Sequence, residues 1–240
     1  MSSNTWTPAA VASEARPWRG SMWRAVEAQH RVSTLRLVDT LREQALLEEL
    51  LEASKPALPA APQGVHYLLV TPFRYPPRHP GGSRFRAATD PGVFYGADER
   101  RTACAELGYW RWRFLNDSPA LQRLTSLPHT LFQSPAAART IDLTQPPFRQ
   151  REKIWTAPED YSACQQLAAV ARSVDIQAIR YKSVRDPDHG MCMALLTPLA
   201  FAGGPLVEQT WRLSVTRERI QWQRDSALHP ESYEFVAAGG

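Results

Sequence analysis

The chain has 240 residues, of which 43% are hydrophobic and 22% are charged, a balance that is ordinary for a globular protein with a sizeable core. Its formal charge of +4 is mildly basic, and the basic residues form no run of like charge. The three cysteines are scattered and form no Cys/His cluster at zinc-ligand spacing, which argues against a disulfide framework and predicts no structural metal site. We find no apolar signal core and no run of 18 apolar residues, so we expect a cytoplasmic protein without a membrane span.

The N-terminal quarter of the chain differs in texture from the remainder. Residues 1–20 are typical of a loose arm, and residues 21–38 are ambiguous between helix and strand. The segment 40–54 predicts a helix, because Thr40 and Glu43 have capping-box spacing and leucines then recur on one face.

A Pro/Ala-rich stretch, residues 56–64, follows that helix and is typical of a linker. We therefore expect an N-terminal helical extension over residues 1–60 and a catalytic domain over residues 61–240. The extension is interpreted either as a dimerisation or docking element or as an accessory helix packed on the main domain.

In the remainder, short apolar runs bounded by glycine or proline predict strands, and apolar residues at helical spacing predict helices. The predicted strands are 67–70, 93–95, 140–143, 179–184, 191–196, 210–215 and 220–223. The predicted helices are 99–114 and 159–173, with a short one at 118–124. Because helices mostly precede strands, the order predicts an α+β fold rather than a regular βαβ winding.

Several well-known catalytic motifs are absent from the sequence: it contains no GxGxxG after a strand, no Walker A sequence, no GxSxG and no HExxH. The six histidines show no metal-ligand spacing and are interpreted as ordinary surface or loop residues. The chemistry must therefore come from other side chains.

Glu106 stands out because it lies among small apolar residues in the helical segment TACAELGYW. A carboxylate there is costly to bury unless it is paired. One interpretation is a surface glutamate paired with Arg101 or Arg113. The other is a catalytic carboxylate that stabilises a positively charged sugar in the transition state.

Arg74 and Arg84 flank a loop rich in proline and glycine, and Tyr95 ends the short strand that follows it. Guanidinium groups match the geometry of a diphosphate, so both arginines are candidate phosphate ligands, with a solvated loop as the alternative. Tyr95 is either a ligand of the same pocket or an aromatic core residue. Ser183, in IRYKSVRD, is a candidate for orienting a ribose, although most strand serines satisfy only local hydrogen bonds.

The segment GYWRWRF mixes arginine with aromatic residues, a combination that is able to stack nucleic-acid bases. The same aromatic residues also fit a packed helix. A nucleic-acid-directed toxin or binder, or a non-catalytic interaction protein built on the leucine face of residues 40–54, are therefore the alternatives to an enzyme.

Taken in order, the blocks TPFRYPP, GSRF, GVFYGA, TACAE and IRYKSVRDP resemble the RES-domain family, named for an arginine, a glutamate and a serine. The resemblance covers most of residues 65–220, and the N-terminal stretch is similar to the extension of longer members. Phe85 and Arg86 depart from the tryptophan and asparagine that are common in the family.

The resemblance implies a fold like that of ADP-ribosylating toxins, cleavage of the nicotinamide–ribose bond of NAD, and transfer of ADP-ribose to phosphate or to a protein target. It implies catalytic roles for Glu106 and Ser183 and NAD binding by Arg74, Arg84 and Tyr95, with no metal. It also implies a toxin of a bacterial toxin–antitoxin pair with a cognate Xre-like antitoxin, through which alone it would meet nucleic acid.

Overall fold

The computed structural model describes residues 6–28, 37–54, 56, 65–77 and 79–237. The α-helices are α1 (Pro8–Ser13), α2 (Leu41–Ala53), α3 (Tyr67–Arg74), α4 (Arg100–Asn116), α5 (Glu152–Trp155) and α6 (Ser162–Ser173). The strands are β1 (Arg16–Glu27), β2 (Phe94–Ala97), β3 (Leu124–Asp142), β4 (Ala178–Lys182), β5 (Met191–Leu195), β6 (Leu206–Val215), β7 (Arg219–Arg224) and β8 (Ser232–Val236).

The strands form one sheet in the order β1-β2-β5-β4-β3-β6-β7-β8. β1 also pairs with β3 along its whole length, from Arg16 opposite Thr140 to Glu27 opposite His129. The first five strands of the order therefore close into a ring, and β6, β7 and β8 extend from the N-terminal half of β3. β3 and β4 run parallel and the other pairs run antiparallel, so the predicted α+β class is confirmed.

The expected helical extension over residues 1–60 contains a strand of this sheet. β1 lies between α1 and α2, and its Met22 and Trp23 are buried in the core. Residue 60 is therefore not a boundary of the sheet, because β1 is held by antiparallel pairing to β3. Residues 29–36 and most of the predicted linker at 56–64 lie outside the described residues.

Helix α2 begins with the predicted capping box. The Glu43 carboxylate accepts the Thr40 backbone N–H at 3.0 Å, and the Thr40 hydroxyl accepts the Glu43 backbone N–H at 3.2 Å. Leu46 and Leu50, on the predicted leucine face, are exposed.

Residues 67–70 were expected to form a strand, and this prediction is wrong because they begin helix α3. The imidazole of His66 accepts the Leu68 backbone N–H, and Leu69 and Phe73 are buried on one face. A run of four apolar residues does not distinguish a strand from a buried helical turn. The short helix expected at 118–124 is likewise a turn that leads into β3.

The core lies on both faces of the sheet. Helices α4 and α6 cover one face, where Leu167, Trp211 and Trp222 are among the buried side chains. Helix α3 covers the other face, against residues such as Phe94 and Phe132. Within the described residues, no helix is both long enough and apolar enough to cross a bilayer.

Candidate functional site

A cavity of about 210 Å³ opens between helix α4, strands β1 and β2 and the loops that follow β4 and precede α6. Its wall combines one carboxylate, three guanidinium groups and a set of aromatic rings. The charged lining residues are Arg24, Arg84, Glu106 and Arg185, and the aromatic ones are Trp23, Tyr95, Trp110, Tyr161 and Tyr181. This composition suits a ligand that carries both negative charge and a flat ring.

Helix α4 brings Glu106 to the cavity because its small residues lie against the sheet. Ala103 and Ala105 are buried, and a Cβ atom at Gly108 would lie only 2.6 Å from Ile220 Cγ2. Larger residues at these positions would push the helix outward. The small face therefore sets how far the Glu106 carboxylate reaches into the cavity.

The carboxylate of Glu106 is held by Ser183. Glu106 Oε1 accepts the Ser183 hydroxyl at 2.6 Å, and Ser183 is fully buried behind it. The Ser183 Oγ in turn accepts the backbone N–H groups of Arg185 at 3.2 Å and Asp186 at 2.9 Å. The structure therefore joins the two predicted catalytic residues, with Ser183 beneath Glu106 rather than on the cavity wall.

The alternative interpretation of Glu106, as an ion-paired surface residue, finds no support in these contacts. Arg101 pairs with Asp186 and Asp188, and Arg113 pairs with Glu159 at 2.9 Å. Within the described residues, Glu106 forms no ion pair. Its negative charge is available to a ligand in the cavity.

Tyr95 lines the cavity with its hydroxyl fixed. The hydroxyl hydrogen-bonds with Ser83 Oγ at 2.8 Å and accepts the Phe85 backbone N–H at 3.0 Å. Burial raises the pKa of Tyr95 to about 12, so the hydroxyl is protonated at neutral pH. Tyr95 therefore ties strand β2 to the loop that carries Arg84.

Arg84 and Arg185 bring positive charge to the cavity without a carboxylate partner. Arg84 is 8% exposed and donates to the carbonyl oxygens of Trp155 and Ala157, at 2.8 and 2.9 Å. Arg185 donates to the Pro158 carbonyl oxygen and lies 3.5 Å from the centre of the Tyr109 ring. Neither forms an ion pair within the described residues, which favours an anionic ligand between them.

Arg24 is a cavity residue that the sequence interpretation missed. It lies on β1, and one of its terminal nitrogens donates to the Tyr95 carbonyl oxygen at 2.7 Å. The available signal was an arginine inside the short apolar run of residues 22–26. Arg24 was missed because this run was assigned to the N-terminal extension, and residues of the extension were not considered as lining the pocket of the catalytic domain.

Arg74 was predicted to bind the same ligand, but the structure does not bring it to the cavity. It ends helix α3, and its Nε donates to the Pro56 carbonyl oxygen. The difference follows from the wrong strand prediction at 67–70, because helix α3 packs on the face of β2 opposite to Tyr95, which lines the cavity. Arg84 and Tyr95 reach the cavity, and Arg74 does not line it.

Cys192 lies in the cavity wall, with its Sγ 4.0 Å from Glu106 Oε1. Burial raises the pKa of the Cys192 thiol well above its usual range, and the negative charge of Glu106 adds to this effect. A protonated thiol is a weak nucleophile. The arrangement therefore favours electrostatic stabilisation over covalent catalysis by this side chain.

The arginines of GYWRWRF are engaged by carboxylates. Arg111 pairs with Glu27 at 2.6 Å and Arg113 pairs with Glu159 at 2.9 Å, while Trp110 and Phe114 are partly exposed. Paired arginines are poorly suited to neutralising a phosphate backbone. Among the described residues, no group of three or more His, Cys, Asp or Glu side chains is arranged to hold a metal ion.

Comparison with known proteins gives one family match. The model of the RES domain matches residues 56–216, which is more than half of the chain. One solved structure that the chain resembles is the crystal structure of the M. tuberculosis MbcT–MbcA toxin–antitoxin complex, with 14% identity, a TM-score of 0.48, and coverage of 87% of this chain and 90% of that chain. No curated protein matches the sequence.

Proposed function

Because this chain belongs to the RES-domain family, we propose that it cleaves the nicotinamide–ribose bond of NAD and transfers ADP-ribose to an acceptor. One observation carries the proposal. The carboxylate of Glu106 is held at 2.6 Å by buried Ser183, on the wall of a cavity that three arginines also line. The cavity thus combines an anionic group for a sugar cation with cationic groups for a diphosphate.

The arginines of the cavity bind the diphosphate of NAD in this proposal. Arg84 and Arg185 are held by backbone carbonyl groups of residues 155–158, so their positions are set before a ligand arrives. Arg24 adds a third guanidinium group, which reaches the cavity from strand β1. Arg74, which the sequence suggested for this role, is replaced here by Arg24 and Arg185.

Glu106 acts on the developing sugar cation. As the bond between ribose C1′ and the pyridinium nitrogen breaks, both bonding electrons go to that nitrogen and neutral nicotinamide leaves. Positive charge then develops on the ribose, and a carboxylate fixed nearby stabilises it without forming a bond. Ser183 serves as a positioning residue for Glu106, while Tyr95 and its neighbouring aromatic rings hold the flat nicotinamide ring.

The acceptor that attacks C1′ is phosphate or a side chain of a protein target. Both supply an oxygen or nitrogen lone pair to the same cation, so the cavity chemistry described above is common to both. We further propose that the protein is the toxin of a toxin–antitoxin pair, acting on cytoplasmic NAD and restrained by an Xre-like antitoxin. This last step rests on the family to which the chain belongs.

The test is nicotinamide release from NAD by the wild-type protein and by Glu106→Gln, in phosphate buffer and in cell lysate. Removing one electrostatic group of this kind lowers the rate by about a hundredfold or more. We therefore expect rapid release by the wild type and about 1% of that rate from Glu106→Gln. Labelled NAD separates the acceptors, because only protein modification leaves label on a gel band.

Glu99→Gln is the matched control. Glu99 precedes helix α4, is exposed and makes no capping hydrogen bond with its side chain, so this variant should release nicotinamide at the wild-type rate. Release that is absent from the wild type in both media would overturn the proposed activity. Equal rates for Glu106→Gln and Glu99→Gln would overturn the role of Glu106.

A further inference from the structure

The loop that joins β4 to β5, residues 183–190, is attached to helix α4 at two points one helical turn apart. Ser183 donates to Glu106 at 2.6 Å, and Asp186 Oδ2 accepts the Thr102 hydroxyl at 2.7 Å. Thr102 and Glu106 are four residues apart and therefore lie on the same face of the helix. The loop and the helix are consequently held in one relative position along that face.

Burial makes this attachment specific. Thr102 and Ser183 are fully buried and Asp186 is 2% exposed, so water does not compete for their hydrogen bonds. The loop also approaches the helix closely at Gly190, where a Cβ atom would collide with the Thr102 hydroxyl. A buried carboxylate in such a place must be fully paired, and Asp186 is paired with both Arg101 and Thr102.

The hydroxyl of Ser183 forms all three hydrogen bonds that it is able to form, and the loop itself supplies two of them. A serine oxygen accepts two hydrogen bonds and donates one. Both accepted bonds come from the loop backbone, at Arg185 and Asp186, so the single proton is directed to Glu106. This direction depends on the backbone position of residue 186, which the carboxylate of Asp186 fixes on helix α4.

We propose that Asp186 is a positioning residue for the catalytic carboxylate, an inference that rests on the proposed NAD cleavage. Asp186 does not line the cavity and touches no substrate. It clamps the loop to Thr102 and so keeps Ser183 donating to Glu106 in the orientation that the transition state requires. Loss of the clamp loosens the carboxylate, whereas Arg185, although it lies in the same loop, is still held by its own hydrogen bonds to the segment that precedes α6.

Asp188 offers a matched control in the same loop. Its carboxylate also pairs with Arg101, at 2.6 Å, but its side chain is 73% exposed and it bonds neither Thr102 nor Ser183. Asp186→Asn and Asp188→Asn therefore remove the same charge from the same loop. Only the first change weakens the clamp.

The experiment compares kcat and KM for nicotinamide release by the two variants. Misplacement of a catalytic group by about 1 Å costs up to about a hundredfold in rate. We expect kcat of Asp186→Asn to fall by about ten- to a hundredfold with KM within about twofold of wild type, and Asp188→Asn to match wild type. A rise in KM without a fall in kcat, or equal kcat for the two variants, would overturn the proposal.

Two further variants separate positioning from stability. Thr102→Val removes the buried hydroxyl that donates to Asp186, with little change of shape or charge, and leaves the pair with Arg101 in place. It decides the question if Asp186→Asn does not fold. It should show the same fall in kcat, and a kcat at the wild-type value would overturn the proposal. Combining Asp186→Asn with Ser183→Ala should lower kcat no further than Ser183→Ala alone, because both changes act on one hydrogen bond.

Failure of the positioning proposal is distinguishable from failure of the proposed activity. If the wild type releases no nicotinamide, the proposed activity fails and the inference fails with it. If Glu106→Gln is impaired while Asp186→Asn behaves as Asp188→Asn does, only the inference is overturned.

Discussion

Single residues in this protein carry charge or polarity into places where water is scarce. Glu106 is half-buried on a helix whose neighbours are alanines and a glycine, and the hydroxyl of Ser183 offsets part of the cost of desolvating its carboxylate. Arg84 is buried against carbonyl oxygens instead of a carboxylate. Neither group forms an ion pair with another described residue, so both can interact with a ligand of opposite charge.

The sequence showed Glu106 as unusual but did not show its partner. Local composition revealed a carboxylate among small residues, whereas the identity of its neighbours depends on how α4 meets the loop after β4. Ser183 lies 77 residues further along the chain, and only the fold brings the two together. Family resemblance supplied that pair as an expectation, whereas the roles proposed for Arg24 and Asp186 rest on the geometry alone.

His129 is a buried titratable group away from the cavity. It is fully buried, its Nδ1 bonds the Leu127 carbonyl oxygen at 3.0 Å, and within the described residues its Nε2 has no hydrogen-bond partner. Burial lowers the pKa of His129, and nearby Arg111 lowers it further, while the Leu127 bond and Glu27 act in the opposite direction. The neutral imidazole is therefore the form that suits the fold.

This arrangement predicts a loss of stability in acid. The unfolded chain binds a proton at His129 near pH 6.5, and the folded chain does so only at lower pH. The free energy of unfolding should therefore be at its full value above about pH 6.5 and fall as the pH drops below it. Urea unfolding at pH 7 and pH 5 should show a smaller fall for His129→Gln, which lacks the proton site, than for the wild type.

His229→Gln provides the control, because His229 is exposed in the turn before β8. This variant should follow the wild-type dependence on pH. If His129→Gln and the wild type lose the same free energy between pH 7 and pH 5, His129 is not a source of the acid sensitivity.

At the scale of elements, the site depends on loops that are held by neighbouring helices. The amide of Gln165, on α6, donates to the carbonyl oxygens of Gly81, Ser83 and Arg86, at 2.8, 3.0 and 3.3 Å. Ser83 and Arg86 also exchange backbone hydrogen bonds across a tight turn. Helix α6 thus sets the position of the loop that presents Arg84 to the cavity.

Some elements were predictable from local pattern and others were not. Helices α4 and α6 repeat apolar residues at helical spacing over twelve residues or more, so their predicted ranges differ from the observed ones by only a few residues. Strand β3 was predicted only at its C-terminal end. The remainder contains Pro128 and Pro135, and proline is uncommon in a central strand, so this part gives no clear strand pattern. Register shifts in its pairing with β6 show how the sheet accommodates an irregular strand.

Gly82 gives a test of the loop that carries Arg84. Its φ of +78° is a conformation that other residues adopt at a cost of about 1–2 kcal/mol, and a Cβ atom would also collide with the Arg86 carbonyl oxygen. Gly82→Ala should therefore lower Tm by about 4 °C or more and raise KM for NAD as the loop shifts. Thermal unfolding and nicotinamide release measure the two effects.

Gly204→Ala is the matched control, because a Cβ atom there meets nothing within 4 Å. Its Tm and KM should equal those of the wild type. Equal values for the two alanine variants would show that the loop tolerates a side chain at position 82 and would contradict the assigned strain.

At the scale of the whole molecule, the N-terminal segment completes both the sheet and the cavity. β1 closes the ring of strands by pairing with β3 and β2, and it contributes Trp23 and Arg24 to the cavity wall. Trp6 packs on Phe148, with ring centres 4.5 Å apart, next to the segment that holds Arg84. Trp6, Trp23 and Arg24 precede the match to the RES domain, which starts at residue 56.

We placed a boundary at residue 60 because the composition changes there. A change in composition does not show which strands pair with each other. A Pro/Ala-rich stretch is a reliable sign of weak local structure, but it does not reveal whether the preceding chain returns to the same sheet. β1 pairs with a strand more than one hundred residues away. Non-local pairing of this kind is the information that periodicity in one sequence lacks.

A truncated chain of residues 61–240 is therefore predicted not to fold. It would lack β1 and leave buried residues of β3, including Leu131 and Phe132, without the strand that pairs with them on one of their two sides. We expect no cooperative thermal transition and no nicotinamide release. A true domain boundary at residue 60 would instead yield a folded and active fragment.

A double variant, Leu46→Ser with Leu50→Ser, is the control for this truncation. It changes the same N-terminal quarter only at exposed positions of α2 and should keep both the wild-type Tm and the activity. Cooperative unfolding of the fragment 61–240 would mean that β1 is dispensable for folding. Loss of activity in the double leucine variant would mean that α2, and not only β1, is required for activity.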